Sequence, residues 1–97
     1  MAELEIKHDP IGQKFYAEIG KQEALLAYTQ INQILDVHLV YVPEELRERG
    51  IAERLALAAF AYAEKKGFKI VSSCDYLANG FLPKHGELKH LVAESEF

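Results

Sequence analysis

One stretch limits this chain more than any other: the run from Gly50 to Lys66, its most clearly helical segment. Ile51, Leu55, Ala58, Ala59 and Tyr62 recur there at the three- and four-residue intervals of one helix face. Lys65-Lys66-Gly67 supplies the stop, because cations suit the negative end of the helix dipole and glycine suits the left-handed residue that ends a helix. Extended backwards, the apolar stripe meets Arg47, Glu48 and Glu44, so the buried face begins at about Gly50. The residues just before it form a strand-to-helix connection.

Strand-like runs flank this helix. Ile34 to Val42 is apolar on both alternating sets, Val37-Leu39-Tyr41 and His38-Val40-Val42, which reads as a central strand buried on both faces. Phe68 to Ser73 reads as a second strand, and a helix between two strands makes a right-handed, parallel crossover. Upstream, Leu4 to His8 suits a short strand followed by the turn cluster Asp9 to Gly12. Lys14 to Ile19 and Ala24 to Thr29 form a hairpin around Gly20-Lys21-Gln22, and Ile31-Asn32-Gln33 turns the chain again. Downstream of Cys74, a helix or two short helical pieces extend to about His85, broken by Gly80 and Pro83. The expected fold is therefore α+β, a mixed and mostly antiparallel sheet with a central crossover helix and a short C-terminal helix. Ninety-seven residues suffice for one domain, 1–97, with one modest core. The second helix face, Leu57, Phe60 and Ala61, is more apolar than a solvent face needs, so it meets another element or a partner subunit; a monomer or weak homodimer is expected.

Charge narrows the ligand. A formal charge of −4 gives no footprint for nucleic acid, yet Arg47, Arg49 and Arg54 are gathered in one place, which favours a small anion. In such crossover sheets ligands bind beyond the carboxyl ends of parallel strands, here before Pro43 and before Cys74. A loop reading Arg-Glu-Arg-Gly-Ile-Ala and opening a helix offers free N–H groups and the helix dipole to an anion, with Gly50 allowing close approach; a diphosphate is the natural guest. An ordinary helix start, with Pro43 at its first position and Glu44 and Glu45 beside the dipole, is the alternative.

The residues Val42-Pro43-x-Glu45-Leu46-Arg47-x-Arg49-Gly50-Ile51-Ala52, the helix ending Lys66-Gly67-Phe68-Lys69-Ile70-Val71, and Cys74-x-Tyr76 carry a resemblance. Together they resemble the minimal GNAT-like N-acetyltransferases, small proteins with a Cys-Pro-Tyr/Phe motif after the last strand. The likeness implies a GNAT-type fold and acetyl-CoA as cofactor. It implies that the amides around Arg49, Gly50, Ile51 and Ala52 hold the diphosphate, that the backbone of Tyr41 and Val42 pairs with the pantetheine arm, and that Arg47 and Arg49 add charge. Cys74 would lie near the thioester, as acyl-accepting nucleophile or as pocket lining, and Asn79 would reach coenzyme A. Four places depart from the family: Leu39-Val40 stands where His-Thr is usual, Asp75 where Pro is common, the Asn79-Gly80 segment is one residue longer, and Phe81 replaces a tyrosine.

Each candidate also has a plainer reading. A lone cysteine at a strand end is commonly a small buried hydrophobe, and its nucleophilic role would need the thiolate. His38 is expected as a hydrogen-bonded core histidine rather than a general base, and a one-residue slip in a strand keeps it from standing in for the missing histidine. His85, Glu87 and His90 lack metal-ligand spacing and read as a solvated tail, and no Cys/His cluster suits zinc, so no metal is expected. Glu44, Glu45, Glu48 and Glu53 should point to solvent, away from a diphosphate. The start lacks a basic region followed by an apolar one, and no run spans a membrane, so a soluble cytoplasmic protein without a membrane partner is expected. The leading function is an acetyl-CoA-dependent N-acetyltransferase of a small amine or exposed lysine; a non-catalytic acyl-CoA binding or sensing module is the alternative.

Overall fold

Two tight turns build most of the sheet. In the computed structural model, which describes residues 5–72 and 76–92, β2 (Lys14–Ile19) and β3 (Gln22–Ile31) pair from Lys14↔Ala27 to Ile19↔Gln22. Only Gly20 and Lys21 lie between them, and Gly20 takes φ +64°, which its lack of a Cβ permits. Asn32 and Gln33 turn β3 into β4 (Ile34–Tyr41), with Asn32 at φ +55°. β1 (Lys7–Asp9) pairs antiparallel with β2, and β5 (Lys69–Ser72) lies parallel to β4, giving the order β1-β2-β3-β4-β5. The crossover helix α1 is Ile51–Lys66. This mixed five-stranded sheet with one crossover helix is the expected α+β architecture. After the undescribed residues 73–75, three short helical turns follow, Tyr76–Phe81, Leu82–Lys84 and Gly86–Leu91, in place of a single C-terminal helix.

The core lies between one sheet face and α1. Alternation sends Phe15 from β2, Ala24, Leu26 and Tyr28 from β3, and Leu35 and Val37 from β4 to that face. Against them α1 sets Leu55, Ala56, Ala59 and Ala63, whose small side chains let the helix lie close to the sheet. A second layer was not legible in the stripe. Phe60 is 1% exposed and stacks on Phe81, with ring centroids 5.4 Å apart. The face expected to meet another element or a partner subunit is thus covered at Phe60 by the chain's own C-terminal turns, while Leu57 and Ala61 remain exposed.

β4 is not buried on both faces along its length, as its two apolar sets had suggested. Tyr28 pairs with Val37 and Ala27 with Leu39, so His38 is an extra residue, a β-bulge. Before it the odd-numbered Leu35 and Val37 point into the core; after it the even-numbered Val40 and Val42 do, and Leu39 and Tyr41 are exposed. Both sets are apolar because the strand changes face at His38. His38 itself is exposed, which overturns the expectation of a core histidine.

Candidate active site

The bulge has a second effect. β4 pairs with β5 only from Ile34↔Lys69 to Val37↔Ser72, so among the described residues the side of β4 beyond His38 has no strand beside it. A cavity of about 530 Å³ borders that open end. Val40, Tyr41 and Val42 form one wall, the start of α1 forms the second, and Tyr76, Gly80 and Lys84 from the C-terminal turns form the third.

The second wall presents the start of a helix to the cavity. After Val42, Pro43 opens the short turn Glu44–Leu46, and buried Leu46 pins it to the core. The chain then passes through two left-handed residues, Glu48 at φ +67° and Gly50 at φ +75°, before α1 begins. Gly50 supplies no side-chain cap, and Arg54 N–H donates to the Gly50 carbonyl at 3.1 Å as the first helical bond. By helix geometry the N–H groups of Ile51, Ala52 and Glu53 project from the N-terminal end, into the cavity that these residues line. A Cβ at Gly50 would meet nothing within 4 Å, so the approach to these amides is open. This donor set fits a diphosphate.

Charge around the mouth is mixed. Arg47 lines it and donates from Nε to the Val42 carbonyl at 3.0 Å, which fixes the guanidinium beside the end of β4. Lys84 brings a second cation from a distant part of the chain. Glu48 and Glu53 also line the cavity, against the expectation that the glutamates of this loop would all face away. Glu45, by contrast, is exposed and accepts a hydrogen bond from Gln22 Nε2 on β3. Glu53 is engaged: its Oε2 lies 2.7 Å from His85 Nε2. His85 stacks on Phe81 with centroids 4.4 Å apart, and its side chain is 19% exposed, so it is not the solvated tail residue expected of it. Its pKa is raised, first by the hydrogen bond to Glu53 and then also by Glu87, whose Oε2 lies 3.5 Å from Nδ1. Nearby His90 takes a different course, with Nδ1 2.8 Å from the Glu87 carbonyl.

Of the residues singled out from sequence, Tyr41, Val42, Arg47, Gly50, Ile51 and Ala52 all border this one cavity. Arg49 and Asn79 are exposed and stand outside its lining, and so does His38. Cys74 lies outside the described residues. Sequence reasoning missed Val40, which the two-residue period back from Val42 could have found. It also missed Tyr76 as a wall, and Lys84, which carries no local signal because it reaches the site only through the C-terminal turns.

Comparison with known proteins agrees with this fold. The family model for the GCN5-related N-acetyl-transferases matches residues 14–91. The chain belongs to this family. The solved structures include a similar one, the solution NMR structure of a GCN5-like candidate N-acetyltransferase from Staphylococcus aureus, with a TM-score of 0.74 and 26% sequence identity. The match covers 99% of this chain and 94% of that one. The GNAT-type fold and the assignment as an N-acetyltransferase that the motifs implied are thereby borne out. The family generally uses acetyl-CoA. Among the described residues no helix is long and apolar enough to cross a membrane.

Proposed function

We propose that this member of the family is an acetyl-CoA-dependent N-acetyltransferase whose acceptor is a small amine or an exposed lysine. One observation carries the reading: the end of β4, which has no strand on its β5 side among the described residues, and the uncapped start of α1 face the same cavity. The amides of Ile51 and Ala52 take the diphosphate, with Arg47 and Lys84 supplying positive charge. The backbone of Tyr41 and Val42 holds the pantetheine arm as an added strand, the Val42 carbonyl keeping its second lone pair beside the Arg47 bond. Arg49 and Asn79 act from the rim, and Cys74 stands near the thioester as nucleophile or lining.

In direct transfer the acceptor nitrogen attacks the acetyl carbonyl carbon, a C–N bond forms and the C–S bond breaks. The amine proton passes to a base or water, and the sulfur leaves as thiolate and takes up a proton. Calorimetry with coenzyme A is expected to show saturable one-site binding. Incubation of acetyl-CoA with an amine and lysine-peptide panel is expected to release free thiol. Absence of binding would defeat the cofactor assignment. Mass spectrometry separates the two roles of Cys74: a thiol-linked acetyl group in the wild type and a slow Cys74→Ala variant mark a nucleophile, whereas an unchanged rate marks lining.

A second reading is favoured by one observation. Phe81, at the place where a tyrosine is usual, is 1% exposed and packed between Phe60 and His85, so the position has no hydroxyl and is spent on the core. A module that binds acyl-CoA without turnover would show binding and no thiol release with any acceptor in the panel.

A further inference from the structure

We propose that His85 is a positioning residue of the coenzyme site: by holding the Glu53 carboxylate, it keeps an internal anion from occupying the amides meant for the diphosphate. The inference rests on the cofactor reading above and adds a residue to it that neither the motif nor the family match singles out.

Glu53 is the third residue of α1 and the acidic residue of its first turn. A glutamate at that position commonly folds back onto the N–H of the residue before the helix, the reciprocal half of a capping box. Here that residue is Gly50, which has no side chain with which to close the box, and its backbone borders the cavity. Left alone, the Glu53 carboxylate has the positive end of the dipole and open N–H groups within its own turn, so it would compete with any phosphate for the same donors. It does not fold back. Its Oε2 instead lies 2.7 Å from His85 Nε2, on the other side of the turn.

His85 is held for this task by two neighbours. Its ring stacks on Phe81 with 20° between planes, and Phe81 is in turn stacked on Phe60 of α1. Its second nitrogen faces Glu87 at 3.5 Å. Among the described residues the charged groups against the ring are Glu53 from α1 and Glu87 from the last turn, and Lys84, next in sequence, lines the cavity. Two carboxylates against one ring favour the imidazolium, and its raised pKa follows from them. The protonated ring neutralises Glu53 and fixes it. Deprotonation removes the neutralising charge and leaves a carboxylate at the mouth of an anion site.

The test uses the full chain, coenzyme A and, as a separate probe, inorganic diphosphate. His85→Ala is expected to weaken both ligands by about fivefold or more, and His85→Ala combined with Glu53→Ala to restore wild-type affinity within about twofold. A purely structural role for His85 would not be rescued by removing Glu53. The wild-type affinity should also fall as pH rises through the His85 titration, followed by NMR of its ring protons, and Glu53→Ala should abolish that part of the pH dependence. Unchanged affinity in a folded His85→Ala, or a double variant as weak as the single one, overturns the inference and leaves the cofactor reading standing. A wild type that binds no coenzyme A overturns both. Circular dichroism of each variant confirms the fold, and if His85→Ala unfolds, His85→Phe, which keeps a ring against Phe81 without a donor or charge for Glu53, takes its place with the same expectations.

Discussion

The two ends of α1 carry the same residue in the same conformation and do opposite things. Gly50 before the helix and Gly67 after it both have φ +75°. At the C-terminal end the open carbonyls are closed off: Gly67 N–H bonds to the Glu64 carbonyl at 3.3 Å and Phe68 N–H to the Ala63 carbonyl at 2.8 Å. This is a Schellman arrangement, and Phe68 adds its apolar contact by packing on Tyr62, 6.1 Å between centroids. At the N-terminal end nothing of the kind occurs; no side chain caps the helix, and the glutamate placed to do so is drawn away to His85. Unsatisfied N–H groups cost stability unless water or a ligand takes them. One glycine therefore finishes a helix and the other leaves it open, and that difference separates stability from binding within a single element.

The contrast can be broken most severely through Phe60, which holds the C-terminal turns against α1. Phe60→Ala should cost about 3–5 kcal/mol of stability in denaturant unfolding, and the wall bearing Tyr76 and Lys84 should loosen with it. Next in size is a change confined to the open end. Ala52→Glu places a carboxylate in the first turn, where the dipole favours it, so stability should hold within about 0.5 kcal/mol. Coenzyme A affinity should nonetheless fall by tenfold or more, about 1.4 kcal/mol, in calorimetry. Stability lost in step with affinity would show that this end is structural after all.

A matched pair sharpens the comparison directly. Gly50→Ala and Gly67→Ala both force alanine to positive φ with no steric obstacle nearby, so each should lose about 1 kcal/mol of stability. Only Gly50→Ala should also weaken coenzyme A. Arginine removal should divide in the same way: Arg47→Ala, within the lining, should weaken coenzyme A by about 1–2 kcal/mol, and Arg49→Ala, outside it, by less.

The smallest effects are those of pH, where two histidines act with opposite sign. His85 has a raised pKa, so its contribution is fully present below the ordinary histidine value of about 6.5 and is lost as pH rises through the raised one. His8 is stacked on Phe15 at 4.1 Å and hydrogen-bonded to Tyr28 at 2.6 Å, and burial lowers its pKa. Its contribution is present above the ordinary value and is lost as pH falls through the lowered one. Unfolding midpoints of His8→Phe across this range should lose the acid-side decline and keep the alkaline one, which is specific to His85.

Much of this molecule was determined by its sequence alone, and the legible parts share a cause. The span of β2, the turns at Gly20-Lys21 and Asn32-Gln33, and α1 between Gly50 and Gly67 follow from local chemistry: alternation, glycine at positive φ, and cations ahead of a glycine stop. The position of the Arg47 to Ala52 loop was readable for the same reason, since where a helix starts is locally encoded, and most of that loop borders the cavity. Tertiary structure decided the rest. The bulge at His38 depends on how β3 and β4 settle their register, and it turned two apolar sets into one strand that changes face. Phe60 was assigned to an outer face because its partner, Phe81, lies beyond the intervening strand β5. Lys84 reaches the cavity and His85 reaches Glu53 only after the C-terminal turns fold back over α1. Periodicity reports the residues that share an element; which charges meet across a fold depends on distances between elements that no local pattern records.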